Sequence, residues 1–285
     1  MPPRLRTLLI LGRVSNLPTV WSNCLAGWWL GGSGNFGKLP LLLVGVSALY
    51  TGGMFLNDAF DADFDQRRRR ERPVPSGAIP LSSVWYWGWA WLALGLLCLT
   101  LVGKITGALA VVLAVCIVLY NAAHKAIPGG PWLMGVCRMF VYVIGGSTSV
   151  WGLSGWPIWG GMALGIYVAG LSYVAQRESF RKRIPYWPLA LLAAPVALAA
   201  IMDTDQGRMP GIWLSLVLVL WVAYCTRTIF QPIEVNVARM VSGLLAGIIW
   251  VDWLAVAPGC PPWLSYIFLL LFAQTLVLQR YVPAT

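Results

Sequence analysis

The stretch Met54-Phe55-Leu56-Asn57-Asp58-Ala59-Phe60-Asp61-Ala62-Asp63-Phe64-Asp65 ends a long apolar run with a dense row of acids. The run, about 38–57, is as long as the ~20 apolar residues that a bilayer-spanning helix needs. Similar runs stand at about 14–32, 81–102, 105–122, 132–151, 155–175, 186–202, 210–230, 237–256 and 261–280. The run 237–256 is the least regular, because Asp252 interrupts it. Backbone groups in lipid have no water to bond, so each run is expected to be helical. The expected fold is all-α: a polytopic membrane bundle of about nine to ten transmembrane helices, one domain over residues 1–285.

Composition agrees with this. Of 285 residues, 59% are hydrophobic and 11% are charged, with a mean hydropathy of +0.72. Soluble domains carry roughly 25% charge, so a soluble, disordered or secreted disulfide-rich chain is excluded. The six cysteines form no C-x-x-C pair and mostly lie in apolar runs, where they pack as small apolar residues. His124 is the only histidine, and no glycine-rich nucleotide-binding loop occurs. Arg4 and Arg6 precede a short apolar stretch without a small-residue cleavage site, which reads as a retained anchor.

A net charge of +10 would suggest nucleic acid in a soluble protein, but here its distribution gives orientation. With the N-terminus cytosolic, 16 of the 20 Lys and Arg residues fall on the cytosolic side. Lys38, Lys104 and Arg208 fall on the other side, and Arg138 lies within a span. This bias follows the positive-inside rule. The expectation is a multi-pass protein of the cell membrane, with no nucleic-acid partner. The long loops at 57–80, 121–131 and 176–185 are then cytosolic. The pairs Gly27/Gly31, Gly103/Gly107 and Gly243/Gly247 are expected at close helix contacts.

Four of the ten acids lie in the opening stretch. On a helix turning 100° per residue, Asn57, Asp58, Asp61 and Asp65 share an arc of about 100°, while Asp63 points away. Three carboxylates on one stripe repel each other and call for a cation. Oxygen donors one and two turns apart suit a hard divalent ion, and Mg²⁺ typically binds one or two carboxylates together with phosphate oxygens. A solvated loop neutralised by Arg67–Arg70 and Arg72 is the plainer alternative. It leaves unexplained why the acids share a face at the end of an apolar span. The following Arg72-Pro73-Val74-Pro75-Ser76-Gly77 stops the helix and can turn Arg72 back toward the acids, where its guanidinium could grip phosphate oxygens.

These two segments resemble the N-D-x-x-D-x-x-x-D … R-P-x-x-S-G pattern of the UbiA superfamily of intramembrane prenyltransferases. Tyr120-Asn121-Ala122-Ala123-His124-Lys125 is similar to that family's Y-x-x-x-x-K loop. The resemblance implies a Mg²⁺-assisted transfer of a prenyl group from an isoprenoid diphosphate, drawn from membrane lipid, to an acceptor it does not specify. By motif position it implies that Asn57, Asp61 and Asp65 hold the metal with Asp58 assisting, and that Arg72, Tyr120 and Lys125 hold the diphosphate. Asn57, Asp61, Asp65 and Lys125 would then be the catalytic set.

The family's second acidic motif corresponds to Tyr173-Val174-Ala175-Gln176-Arg177-Glu178-Ser179. Only Glu178 could act as a second metal ligand there, since Gln176 is neutral. Three readings follow: one Mg²⁺ suffices, Arg177 replaces the second cation, or the protein binds or moves an isoprenoid or lipid-linked metabolite without transferring it. An ion-coupled transporter is a further alternative, though such sites lie nearer the midplane. Gly12–Thr19 and Ala175–Glu178 also look similar to the UbiA-like proteins of Ebo clusters. Among polar residues inside spans, Asn16 and Asn23 could line the cavity or bond neighbouring helices. Arg138 would either pair with Glu178 or Asp252 or serve as a phosphate ligand.

Overall fold

A computed structural model describes residues 3–125, 127–180, 186–202, 208–230 and 236–284; the side chains of residues 3, 4, 177–180, 208 and 230 lie outside that description. Thirteen α-helices follow in chain order: α1 (Pro3–Leu11), α2 (Leu17–Leu30), α3 (Leu39–Phe60), α4 (Ala62–Arg68), α5 (Leu81–Val102), α6 (Lys104–Ala123), α7 (Gly130–Ser147), α8 (Gly155–Phe180), α9 (Trp187–Leu191), α10 (Ala194–Ile201), α11 (Arg208–Thr226), α12 (Val237–Val256) and α13 (Pro262–Tyr281). Short 3-10 turns stand before α2 and α3 and after α11. The only β pairing among the described residues is an isolated bridge between Gly34 and Ser149. The fold is therefore an all-helical bundle.

Among the described residues, seven helices are long and apolar enough to cross a membrane: Phe36–Phe60, Leu81–Val102, Lys104–Ala123, Gly155–Gln176, Met209–Ile229, Val237–Val256 and Pro262–Tyr281. The sequence counted nine to ten runs, and the remaining three take other forms. The run 14–32 yields α2 with only 14 residues, about 21 Å at 1.5 Å per residue. The run 132–151 becomes α7, which carries Arg138 at its middle. The run 186–202 is divided into α9 and α10, each with a proline in its first turn. Proline suits that position but cannot continue a preceding helix, so two such sites make two short helices. The run interrupted by Asp252 is nevertheless one unbroken helix, α12, with Asp252 fully buried.

The lipid-facing surface is formed by residues such as Leu97, Leu101, Ile105, Val112, Leu220 and Leu270, all exposed. In water these would be costly, whereas in hydrocarbon they are matched. Together with the seven spans they mark an integral membrane protein.

Inside, one apolar core joins α2, α8, α12 and α13 around Tyr167, Leu244 and Phe268. A second joins α2, α3, α5, α6 and α7 around Leu49, Leu99 and Ile144. Helix α2 belongs to both and touches α7 almost backbone to backbone. A Cβ at Gly27 would overlap the Tyr142 main chain, and one at Gly145 would overlap the Cys24 carbonyl. Gly31, Gly107, Gly243 and Gly247 also stand at close contacts. Gly103 does not: it is the turn between α5 and α6, with only Thr106 of its own segment nearby.

Candidate functional site

Helix α3 stops at Phe60 and α4 starts at Ala62, with Asp61 at the joint at φ −86°, ψ −2°. The acidic stripe is thus not one continuous helix. The hydrogen-bond ladder still crosses the joint, from Asp61 N–H to the Asn57 carbonyl (3.0 Å) and from Asp65 N–H to the Asp61 carbonyl (2.8 Å). The side chains therefore keep a shared face. Asn57, Asp58, Asp61 and Asp65 are buried, while Asp63 is exposed.

Each buried carboxylate meets a cation. After α4 the chain turns through Arg72–Gly77, with Gly77 in the left-handed region at φ 75°. This turn brings Arg72 Nη1 to 2.9 Å from Asp65 Oδ2 and 3.2 Å from Asp58 Oδ1. Lys125, beyond α6, places Nζ 2.6 Å from Asp61 Oδ1 and 3.8 Å from the Phe64 ring centroid. His124 Nε2 lies 3.8 Å from Asp61 Oδ2, and its ring stacks on Tyr120 at 4.8 Å.

Arg13 is a cation that the sequence reading counted only as membrane-side charge. It precedes α2 at φ 42°, ψ 49°, a left-handed conformation that is unfavourable for a residue with a Cβ. There it donates from Nη2 to Asn57 Oδ1 (3.1 Å) and lies 3.5 Å from Asp58 Oδ1. Burial lowers its pKa, but Asp58, Tyr50, Tyr120 and Asp61 together hold it above the ordinary arginine value, so it stays charged. Asn121 is the other residue that sequence reasoning left without a role. It accepts from Asn57 Nδ2 (3.1 Å) and donates to the Gly53 carbonyl (3.0 Å), which fixes the Asn57 amide.

These groups form one end of a cavity of about 630 Å³. Arg13, Asn57, Asp61, Asp65, Arg72, Tyr120, His124 and Lys125 line it there. The deeper wall is apolar, with Val46 from α3, Leu113 and Ile117 from α6, Val141 from α7, Val168 and Leu171 from α8 and Leu245 from α12. Asp58 does not line the cavity; it stands behind, held by Arg13 and Arg72. Among the described residues, no cluster of three or more His, Cys, Asp or Glu side chains converges as a metal site. In this structure the carboxylates of the stripe pair with Arg13, Arg72 and Lys125.

The other expected residues separate. Asn16 lines the cavity and donates from Nδ2 to the Ala284 carbonyl (3.0 Å). Asn23 is fully buried outside the cavity wall, so it does not line it. It donates from Nδ2 to Asp252 Oδ2 (2.7 Å) and accepts from Arg138 Nη1 (2.8 Å). Ser22 and Tyr142 also donate to Asp252. Arg138 itself lines the cavity. Gln176 lines it as well, while the side chains of Arg177 and Glu178 lie outside the described residues.

Known proteins place this arrangement. Digeranylgeranylglyceryl phosphate synthase of Ignicoccus hospitalis is 32% identical over 128 residues, 44% of this chain and 42% of that protein. The chain thus aligns with about two fifths of the length of that relative, and with 40% of the Methanoregula boonei one. The synthase of Methanopyrus kandleri is 24% identical over 249 residues, 73% of this chain and 91% of that protein. A solved UbiA homolog from Archaeoglobus fulgidus, bound to GPP and Mg²⁺, has the same fold at TM-score 0.56 and 16% identity, covering 95% of this chain and 98% of its own. The apo UbiA homolog from Aeropyrum pernix K1 gives 0.53 at 20% identity, covering 95% and 97%. The UbiA prenyltransferase family matches residues 15–283, nearly the whole bundle around this cavity, and the chain belongs to it.

Proposed function

We propose that the chain is an intramembrane prenyltransferase that moves a prenyl group from an allylic isoprenoid diphosphate to an acceptor. The observation that carries this reading is the cavity itself, with cations and carboxylates at one end and an apolar wall along the rest. A diphosphate with a hydrocarbon tail has the same two-part character. The digeranylgeranylglyceryl phosphate synthases and the GPP-bound homolog support the same class of substrate.

The donor set at the polar end fits Mg²⁺. It consists of oxygens only, and Asp61 and Asp65 border the space where phosphate oxygens would complete the shell. Asn57, Asp61 and Asp65 would hold the ion, with Asp58 as support through Arg13 and Arg72. The ion supplies positive charge against the leaving diphosphate. Lys125, Arg72 and the Tyr120 hydroxyl hold diphosphate oxygens and stabilise charge that grows as the bond breaks. The allylic C–O bond breaks, and its electron pair leaves with the diphosphate. The acceptor's nucleophilic atom gives a pair to the allylic carbon, and its proton passes to the released diphosphate. The apolar wall keeps water from competing as acceptor. The charge bias of the sequence supports a polar end on the cytosolic side of the cell membrane.

The test is pyrophosphate release by the purified protein with Mg²⁺, a range of prenyl diphosphates and a host lipid extract, with prenylated products followed by mass. Wild type should release pyrophosphate and yield a product, whereas Asp61→Ala and Asp65→Ala should reduce turnover at least about a hundredfold. Full turnover by both folded variants would sink the proposal. A second reading, binding or transport without transfer, is favoured by the neutral Gln176 on the cavity wall. It would be supported by saturable donor binding with no pyrophosphate released.

A further inference from the structure

His124 is the chain's only histidine, and the transfer described above gives it no role. It stands at the C-terminal cap of α6 and lines the polar end of the cavity. Its ring is fixed from two sides. It stacks on Tyr120, with centroids 4.8 Å apart and planes 18° from parallel. Its Nδ1 lies 3.0 Å from the Tyr120 carbonyl oxygen. A carbonyl can only accept, so Nδ1 carries the proton, and Nε2 of the neutral ring presents a lone pair. Metal-ligating histidines are held in this way: the nitrogen that does not ligate donates to a backbone carbonyl, which fixes the tautomer and the ring.

Nε2 lies 3.8 Å from Oδ2 of Asp61. That is too long for a hydrogen bond. A charged imidazole is not needed to neutralise Asp61, because Lys125 Nζ already stands 2.6 Å from its Oδ1. Two ligands that each lie about 2.1 Å from one ion stand about 3–4 Å from each other, so the pair is spaced as two ligands of a shared cation. Tyr173 of α8 donates to the Pro128 carbonyl (3.2 Å), which pins the loop after α6 against the end of α8. Gln176, about one turn further along α8, lines the same cavity and can add an amide oxygen. Two or three protein ligands leave positions for diphosphate oxygens or water, in keeping with the lack of a larger ligand cluster among the described residues. The oxygen donors Asn57, Asp61 and Asp65 suit Mg²⁺, whereas an imidazole nitrogen favours first-row transition ions.

We propose that His124 Nε2 and Asp61 Oδ2 form a second divalent-cation site beside the Mg²⁺ donors, one that takes a transition ion such as Mn²⁺. Asp61 is shared by the two sites. Only the diphosphate oxygens of the shell rest on the prenyltransferase reading; the two side chains do not. Mn²⁺ binding to the purified, tag-free protein is followed by electron paramagnetic resonance, alone, with excess Mg²⁺ and with inorganic pyrophosphate. With one histidine in the chain, an imidazole-nitrogen coupling on bound Mn²⁺ can come only from His124. Wild type should bind Mn²⁺ with that coupling and keep it in excess Mg²⁺. His124→Leu and His124→Gln should both lose the coupling and bind Mn²⁺ at least about tenfold more weakly, with Mg²⁺ affinity changed less than about threefold. If His124→Leu unfolds, His124→Gln, which keeps a polar side chain at the helix end, carries the comparison. Pyrophosphate should tighten Mn²⁺ binding. No effect of pyrophosphate would count against the donor reading, while the nitrogen coupling still decides the inference about His124. That inference is overturned if wild type binds no Mn²⁺, if it binds Mn²⁺ without the coupling, or if a variant with an unchanged melting temperature keeps wild-type Mn²⁺ affinity.

Discussion

At the scale of single residues, the site is held by cations that reach it from far apart in the chain. Arg13, Arg72 and Lys125 come from three different connections, yet all end on the stripe of α3 and α4. Arg13 does so from a left-handed backbone, which costs an L-residue about 1–2 kcal/mol more than glycine. Two effects can therefore be separated at one position. Arg13→Ala loses the contacts to Asn57 and Asp58 and keeps the backbone strain; Arg13→Gly loses the same contacts and relieves it. In denaturant titrations of the purified protein, Arg13→Gly should be the more stable of the two by about 1 kcal/mol. Donor affinity should fall equally in both, because both remove the guanidinium that meets Asn57 and Asp58. Equal stability would show that the conformation carries no strain. The sequence made the acids and Arg72 legible because they form a compact, regularly spaced motif. It could not reveal Arg13 or Asn121 in the same way, because their roles depend on which helix ends meet in space. A positively charged residue just before an apolar run reads locally as membrane-side charge and nothing more.

At the scale of elements, α2 is a cavity helix of only 14 residues that is packed closely on its neighbours. It touches α7 through Gly27 and Gly145, and it carries Ser22 and Asn23 to Asp252 of α12. Gly27→Val should force α2 from α7 and cost about 3 kcal/mol, at the upper end for an overpacked core. Gly77→Ala, which meets open space at φ 75°, should cost only about 1 kcal/mol. Thermal unfolding in detergent measures both, and the reverse order would refute the close-packing argument. The Asp252 relay gives a second contrast. Asp252→Leu removes the acceptor of the Asn23 and Tyr142 donors, at about 1–3 kcal/mol for each buried group, while the Ser22 hydroxyl can still donate to the Thr19 carbonyl (3.0 Å). Asp252→Asn keeps one acceptor oxygen, so its melting temperature should lie between wild type and Asp252→Leu. Periodicity and length made most helices readable. They did not reveal that two prolines divide the run 186–202 into two short helices, and they treated Asp252 as an interruption. A buried acid looks like a defect along one helix until the donors of two other helices are known.

At the scale of the whole molecule, the arrangement is a helical bundle around an amphiphilic cavity, and the shape of that cavity bears on what can enter. The polar end is built by the C-terminal ends of α3 and α6, by α4 and by the loops after α4 and α6, whereas the apolar wall draws on α3, α6, α7, α8 and α12. The two parts use different residues, so they should be separable by mutation. Val168 is buried in α8, lines the apolar wall and takes part in none of the ion pairs. Val168→Trp would fill the wall without removing a charge. Under the proposed reading, the diphosphate of every donor still meets Arg72 and Lys125, and only the tail loses room. Short donors such as DMAPP should therefore keep their wild-type affinity within about threefold, while long polyprenyl diphosphates lose about tenfold or more, the range that shape exclusion in an apolar pocket gives. Asp61→Ala, by contrast, should weaken donors of every length alike. Titration of both variants with donors of increasing length distinguishes the two patterns. A uniform loss in Val168→Trp would mean that the tail does not lie along α8, and the division of the cavity into a charged end and a measuring wall would have to be abandoned.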